Sequence, residues 1–205
     1  KCILKKEKQK LKLLLQKVRS NLIKGQPKKI EIGTVIKQDI LEKRANIVYL
    51  GVGSNLGNKF INIEKAKIKL IENQIEIIKC SSYYETLSWP NPKNPKFLNI
   101  VLKIKTSLDV ANLLKISKQI EQSLGRKKTL KNSPRECDID ILDFDNKNSY
   151  IKSINLPHLR MHKRNFVLIP LFEINKNWIH PKSHHHIKSL IFSLSNTDIT
   201  SIKKI

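Results

Sequence analysis

From Ile47 onward the chain switches between two hydrophobic periods, and the switches predict its elements. Ile47-Val48-Tyr49-Leu50-Gly51-Val52 is an apolar, β-rich run suited to a central strand. Gly53–Gly57 reads as a loop. A helix is predicted over 59–73, with Ile61, Ala66, Ile68, Leu70 and Ile71 on its apolar face. Ile75–Tyr84 reads as a second strand, and Thr86–Lys96, with three prolines and Trp89, as a loop. Phe97–Thr106 alternates strictly: Leu98, Ile100, Leu102 and Ile104 share one face, Phe97, Asn99, Val101 and Lys103 the other. Ser107 or Asp109 caps a helix that runs to Leu124 and stops at Gly125. A basic loop, Arg126–Ser133, leads to a strand over Glu136–Phe144. Beyond it come a turn at Leu156-Pro157-His158, an apolar stretch over Arg164–Phe172 and a short helix over Ile187–Leu194. The order strand, helix, strand, strand, helix, strand predicts a ferredoxin-like βαββαβ core. That is an α/β fold of the α+β kind, with a mostly antiparallel sheet flanked by helices in three layers.

The segment ahead of Ile47 has a different character. Leu11, Leu14, Leu15, Val18 and Leu22 recur at helical spacing among lysines, and Gly25 and Pro27 end the pattern. A basic N-terminal extension over 1–46, helix plus connector, is therefore expected ahead of a compact domain over 47–205. Residues 1–46 carry 14 Lys and Arg against 4 Asp and Glu, within a chain of net charge +23. So basic a chain invites a nucleic-acid reading. But Lys, Ile and Asn dominate throughout, which reads as a compositional bias, and a polyanionic small substrate is equally well served by the charge. No specific nucleic-acid partner is expected. Cys2, Cys80 and Cys137 lie far apart and are odd in number, which favours a reducing compartment and a cytoplasmic location. No apolar run approaches the roughly 20 residues of a membrane span, and a monomer is expected.

Candidate chemistry concentrates in Ser133-Pro134-Arg135-Glu136-Cys137-Asp138-Ile139-Asp140-Ile141-Leu142. On a strand, Asp138 and Asp140 share a face while Ile139 and Ile141 share the other. Adjacent carboxylates repel unless a cation stands beside them. Their hard oxygens suit Mg²⁺, which takes one or two carboxylates and completes its shell with phosphates and water. Arg126, Lys127, Lys128, Lys131 and Arg135 precede the pair, and cations there suit the charge that develops in phosphoryl transfer. Gly51-x-Gly-Ser-Asn-Leu-Gly57 has neither the P-loop nor the dinucleotide spacing and reads as a tight structural turn. Trp89, Phe97 and Phe166 offer an aromatic slot for a flat heterocycle, whose edge the Asn99 amide can read. His158, His162 and Arg164 stand near enough in sequence to meet phosphates together. His184-His185-His186 reads as a solvated run, since three successive histidines on a regular element cannot converge on one ion.

Taken together, these segments resemble the 6-hydroxymethyl-7,8-dihydropterin pyrophosphokinase family of folate biosynthesis. Four blocks carry the resemblance in order: YLGVGSNLGN from Tyr49; SSYYET from Ser81 with FLNIVLKIKTSL from Phe97; IEQSLGR from Ile120 with PRECDIDIL from Pro134; and LPHLRMHKRNFVLIPL from Leu156. The resemblance implies transfer of pyrophosphate from ATP to 6-hydroxymethyl-7,8-dihydropterin, leaving AMP. By position it implies that Asp138 and Asp140 hold two Mg²⁺ ions, with Arg126 and Arg135 on the migrating unit. Lys128, His158 and Arg164 would serve the ATP phosphates, and Glu121 and Ile141 would lie near the ribose and adenine. Phe97 and Phe166 would sandwich the pterin, Asn99 would pair with its edge, and Thr86, Leu87 and Trp89 would line its site. Two other classes use parts of this pattern. A basic nucleic-acid-binding domain would make the aspartates structural. A metal-dependent nucleotide-sugar transferase also uses Asp-x-Asp, but leaves Arg126, Arg135 and the aromatic slot without a role.

Overall fold

In the computed structural model, residues 45–88, 91–127, 133–151 and 154–205 are described. The expected N-terminal helix, Trp89 and Lys128 lie outside these residues. The elements, in order, are β1 (Asn46–Ser54), α1 (Lys59–Glu72), β2 (Glu76–Cys80), β3 (Tyr84–Thr86), β4 (Phe97–Thr106), α2 (Val110–Ser123) and β5 (Asp138–Phe144). There follow β6 (Ser149–Ile151), β7 (Ile154–Leu156), a 3-10 turn at Met161–Lys163, α3 (Asn165–Ile174), α4 (Ile187–Phe192), α5 (Asn196–Ser201) and β8 (Lys203–Lys204).

The sheet runs β5-β1-β4-β3-β8, with β2 also on β4, and every pairing is antiparallel. With β2 and β3 read as one interrupted strand, the path is the expected ferredoxin-like one. The interruption differs from the single strand predicted over Ile75–Tyr84. Its cause is Ser81, whose N–H donates to the Val101 carbonyl at 2.9 Å while its Oγ accepts from the Val101 N–H at 2.9 Å. The side chain takes a ladder partner that a continuous strand would use. β1 also outruns its predicted end: it pairs with β4 from Asn46↔Thr106 to Ser54↔Leu98, so Gly53 and Ser54 are strand residues.

Two apolar cores form, one on each face. Val48, Leu50, Val52, Leu98, Ile100, Leu102, Ile104, Ile139 and Ile141 face Ile63, Ala66 and Leu70 of α1 and Val110, Leu113 and Ile120 of α2. Ile63, not Ile61, is the buried apolar residue of the first turns of α1. On the opposite face Tyr49, Val101 and Leu142 meet Val167, Leu168, Leu171 and Ile174 of α3, with Met161, Trp178 and Ile187 around them. Asn58 and Asp109 cap α1 and α2 with side-chain oxygens.

A bulge in β5 adjusts which residues reach the second face. Leu50 pairs with Ile141, yet its neighbour Tyr49 pairs with Asp143, so Leu142 is the extra residue. Asp143 is buried there and accepts from Trp178 Nε1 at 2.8 Å. Burial pushes its carboxyl up, against the Trp178 hydrogen bond that favours the charge. This third aspartate belongs to the core and takes no part in the cavity.

Candidate active site

The second face of the sheet is only partly covered by α3. By the two-residue period, Gly51 and Gly53 of β1, Phe97 and Asn99 of β4, and Asp138 and Asp140 of β5 lie on that face beyond Val101 and Leu142. They form the floor of a cavity of about 530 Å³. Register places Gly53 between Asn99 and Asp138, and Gly51 between Val101 and Asp140. The two glycines therefore keep the floor flat between the carboxylates and the amide. This is a role the loop reading of the glycine motif missed, because strand pairing decides it.

Arginines stand over the carboxylates. Gly125, at φ +106, turns the chain after α2, and the Arg126 N–H returns to the Glu121 carbonyl at 3.1 Å. That turn brings Arg126 Nη1 to 2.5 Å from Glu121 Oε2 and 2.7 Å from Asp138 Oδ1. Arg135 Nη1 reaches the same Asp138 oxygen at 3.2 Å. Arg135 Nε is buried with no hydrogen-bond partner among the described residues. Arg164 Nη1 stands 3.5 Å from Asp140 Oδ2. Burial lowers the Arg164 pKa while Asp140 pulls it back; for Arg126, burial is outweighed by Asp138 and Glu121, and the pKa rises. Both guanidinium groups stay cationic.

Glu121 is 1% exposed and fully engaged, so it acts through its neighbours. Its Oε1 accepts from Lys118 Nζ at 2.8 Å and from the Ile139 N–H at 2.7 Å, and its Oε2 accepts from Arg126. It thereby fixes Arg126 against the β5 backbone.

His158 enters from the segment after β7, its N–H donating to the Leu142 carbonyl at 2.9 Å. Its Nδ1 accepts from the Arg160 N–H at 3.2 Å, which makes Nε2 the N–H donor. Burial lowers its pKa; Asp140 opposes this and Arg164 adds to it, so the ring is neutral at pH 7. Each aromatic wall carries a guanidinium: Arg135 lies 5.9 Å from the Phe97 ring centre and Arg164 5.4 Å from that of Phe166. Asn99 Nδ2 donates to Thr86 Oγ1 at 2.9 Å, which orients the amide.

The expected residues Thr86, Leu87, Phe97, Asn99, Glu121, Arg126, Arg135, Asp138, Asp140, His158, Arg164 and Phe166 all line this one cavity. The Ile141 side chain does not; it is buried in the core on the far face, as its place next to Asp140 on β5 requires, and its contribution to a ligand would come through its backbone. Lys118, Gln122 and Arg160 also line the cavity and were not singled out from the sequence. In the histidine run His184 and His185 are exposed, while His186 caps α4 by accepting from the Lys188 N–H. Among the described residues no group of three or more His, Cys, Asp or Glu is placed to hold a metal, and no helix is long and apolar enough to cross a membrane.

Known proteins resemble this chain in sequence and fold. The family model of 7,8-dihydro-6-hydroxymethylpterin-pyrophosphokinase matches residues 49–176. The 2-amino-4-hydroxy-6-hydroxymethyldihydropteridine pyrophosphokinase of Aquifex aeolicus is 45% identical over 134 residues, 65% of this chain and 83% of that protein. The enzyme of the same name from Bacillus subtilis is 39% identical over 130 residues, 63% of this chain and 78% of that one. The folic acid synthesis protein FOL1 of Dictyostelium discoideum is 40% identical over 151 residues, 74% of this chain but 23% of its own length. Among solved structures, wild-type Plasmodium falciparum HPPK-DHPS with pteroate superposes with a TM-score of 0.62 at 18% identity, over 79% of this chain and 46% of that one. The chain thus spans about a quarter of the FOL1 protein and about half of HPPK-DHPS. The matched residues run from β1 to just beyond α3 and contain the whole of the cavity floor, and the chain belongs to the 7,8-dihydro-6-hydroxymethylpterin-pyrophosphokinase family.

Proposed function

We propose that this protein transfers the β,γ-pyrophosphoryl unit of ATP to the hydroxymethyl oxygen of 6-hydroxymethyl-7,8-dihydropterin, releasing AMP. The observation that carries this reading is the joining of two ligand chemistries in one cavity. Arg126, Arg135, Arg164 and His158 stand over Asp138 and Asp140, while Phe97, Phe166 and Asn99 share the same floor. The first set suits a polyphosphate, the second a flat heterocycle with donors and acceptors along one edge.

In this reading the pterin ring lies between Phe97 and Phe166, with its edge on the Asn99 amide. The triphosphate is held by Arg126, Arg135, Arg164 and the Nε2–H of His158. The alcohol oxygen forms a bond to the β-phosphorus as the bond from that phosphorus to the α,β-bridging oxygen breaks; AMP takes the released electron pair. Asp140 or a bound water accepts the alcohol proton. Positioning and charge stabilisation supply the acceleration.

Asp138 and Asp140 fit Mg²⁺. Their side chains are 22% and 36% exposed to the cavity, and their neighbours are arginines rather than further acids. Such a donor set leaves most of an ion's shell to phosphate and water. Two ions held there would neutralise the triphosphate and align it with the alcohol. A monomeric, cytoplasmic enzyme is part of this reading, the latter resting on the unpaired Cys80 and Cys137.

The test is nucleotide analysis after incubation with ATP and Mg²⁺, with and without the pterin. AMP appearing only with the pterin is the expected result. ADP as product, or AMP formation indifferent to the pterin, would overturn the proposal.

A further inference from the structure

Asn55 lies just past the end of β1 and is 3% exposed. Its N–H donates to the Arg135 carbonyl at 3.1 Å, and its Oδ1 accepts the Arg135 N–H at 2.7 Å. Its Nδ2 donates to the Pro95 carbonyl at 3.1 Å and to Ser88 Oγ at 3.3 Å. Ser88 Oγ in turn donates to the Pro95 carbonyl at 2.6 Å. One buried amide thus joins three segments distant in sequence. It grips the backbone at Arg135, and it pins both ends of the loop between Ser88 and Pro95.

The two sides of this clamp have different duties under the proposed function, on which this inference rests. Arg135 contacts Asp138 and lines the cavity. One anchor, Ser88, directly follows Thr86 and Leu87, and the other, Pro95, lies two residues before Phe97. One side sets the phosphate-binding arm, the other the wall of the heterocycle recess. The reaction requires atoms from those two halves to meet in line, where small misplacements cost rate steeply. Only a side chain with an acceptor and two donors serves both sides at once.

We propose that Asn55 is a positioning residue which sets Arg135 relative to Ser88 and Pro95, and so holds the two substrates in register. It touches neither substrate.

The experiment is steady-state kinetics on the full chain for Asn55→Ala, Arg135→Ala, the double variant and Asn55→Asp, with ATP, Mg²⁺ and the pterin. Asn55→Ala is expected to lower kcat and to raise KM for the pterin, each by about tenfold, the size expected of a lost buried hydrogen bond. In the double variant kcat should fall no further than in Arg135→Ala, because the group through which Asn55 acts on turnover is gone, while the pterin KM should still rise. Asn55→Asp keeps the acceptor for the Arg135 N–H and loses both donors to the loop. It should raise the pterin KM with a smaller loss of kcat, and it carries the test if Asn55→Ala does not fold. Additive losses of kcat in the double variant, or reduced kcat with an unchanged pterin KM, would mean a mere loss of folded enzyme and would overturn the proposal. If the unaltered chain forms no AMP with the pterin, the functional reading itself has failed, and this inference falls with it.

Discussion

Gly53 of β1 pairs with Asn99 of β4, and a Cβ added to Gly53 would stand 2.7 Å from Asn99 Oδ1. The same Cβ would lie 3.4 Å from Phe97 Cδ1. Asn99 has little freedom to yield, since its Nδ2 is held by Thr86 Oγ1 and it is 7% exposed. The absence of a side chain at residue 53 is therefore what allows the amide and the ring to sit where a heterocycle would meet both.

Gly53→Ala should displace Asn99 and Phe97 at a cost of about 1–3 kcal/mol, the usual range for overpacking. We expect pterin affinity to fall by tenfold or more, with ATP affinity little changed, in calorimetric titrations of each ligand. Equal weakening of both would place the damage in the sheet as a whole.

Asp140→Ala removes one of the two carboxylates that open to the cavity and leaves Arg164 without its partner at 3.5 Å. Loss of the proposed metal ligand would remove several kcal/mol of charge stabilisation, so AMP formation should fall about a thousandfold or more. Mn²⁺ titration followed by electron paramagnetic resonance should show fewer bound ions in the presence of a non-hydrolysable ATP analogue. Near-normal turnover would remove Asp140 from the metal site.

Phe97→Ala takes away one aromatic wall and frees Arg135 from the ring it overlies. The pterin should bind roughly tenfold more weakly, about 1.4 kcal/mol, from lost stacking and contact area. The ATP analogue should bind as before. A parallel loss of nucleotide affinity would show that Phe97 acts through Arg135 instead.

Glu173 of α3 latches the sheet edge. Its carboxylate accepts from the Ser82 N–H at 2.9 Å, Ser82 Oγ at 2.6 Å, Tyr84 Oη at 2.9 Å and Lys204 Nζ at 3.1 Å. Partial burial works against its charge, but the bonds from Ser82, Lys204 and Tyr84 outweigh it and hold the pKa at about 2, against 4.5 for a free glutamate. Between those values the unfolded chain binds the proton and the folded one does not, so stability rises with pH there. Its contribution is fully present above pH 4.5 and is lost as pH falls toward 2. Urea unfolding of Glu173→Gln should show a flatter stability profile than the unaltered protein across that window. Parallel profiles would rule the latch out.

Much of the fold can be read from local periods because burial imposes them residue by residue. The β4 alternation from Phe97 to Thr106, the Asp109 cap and the Gly125 stop all appear at the predicted positions. The break at Ser81 and the edge strand β8 were not legible. Ser81 acts on Val101, twenty residues away, and Lys203–Lys204 pairs with Tyr84 and Glu85 from the far end of the chain. Neither leaves a trace in a window of ten residues.

The chain's own order of residues determined which groups could do chemistry: Asp138 and Asp140 two apart on a strand, with arginines ahead of them and Phe97 and Asn99 two apart on another. Period-two geometry alone then put each pair on one face. Tertiary structure decided that these faces are the same face. The antiparallel register of β1 with β4 and β5 set Gly51 and Gly53 between the pairs, the turn at Gly125 sent Arg126 back to Asp138, and α3 stopped short of the floor. Those placements depend on hydrogen bonds and packing between segments as far apart as Tyr49 and Asn175, whose energies no local pattern contains.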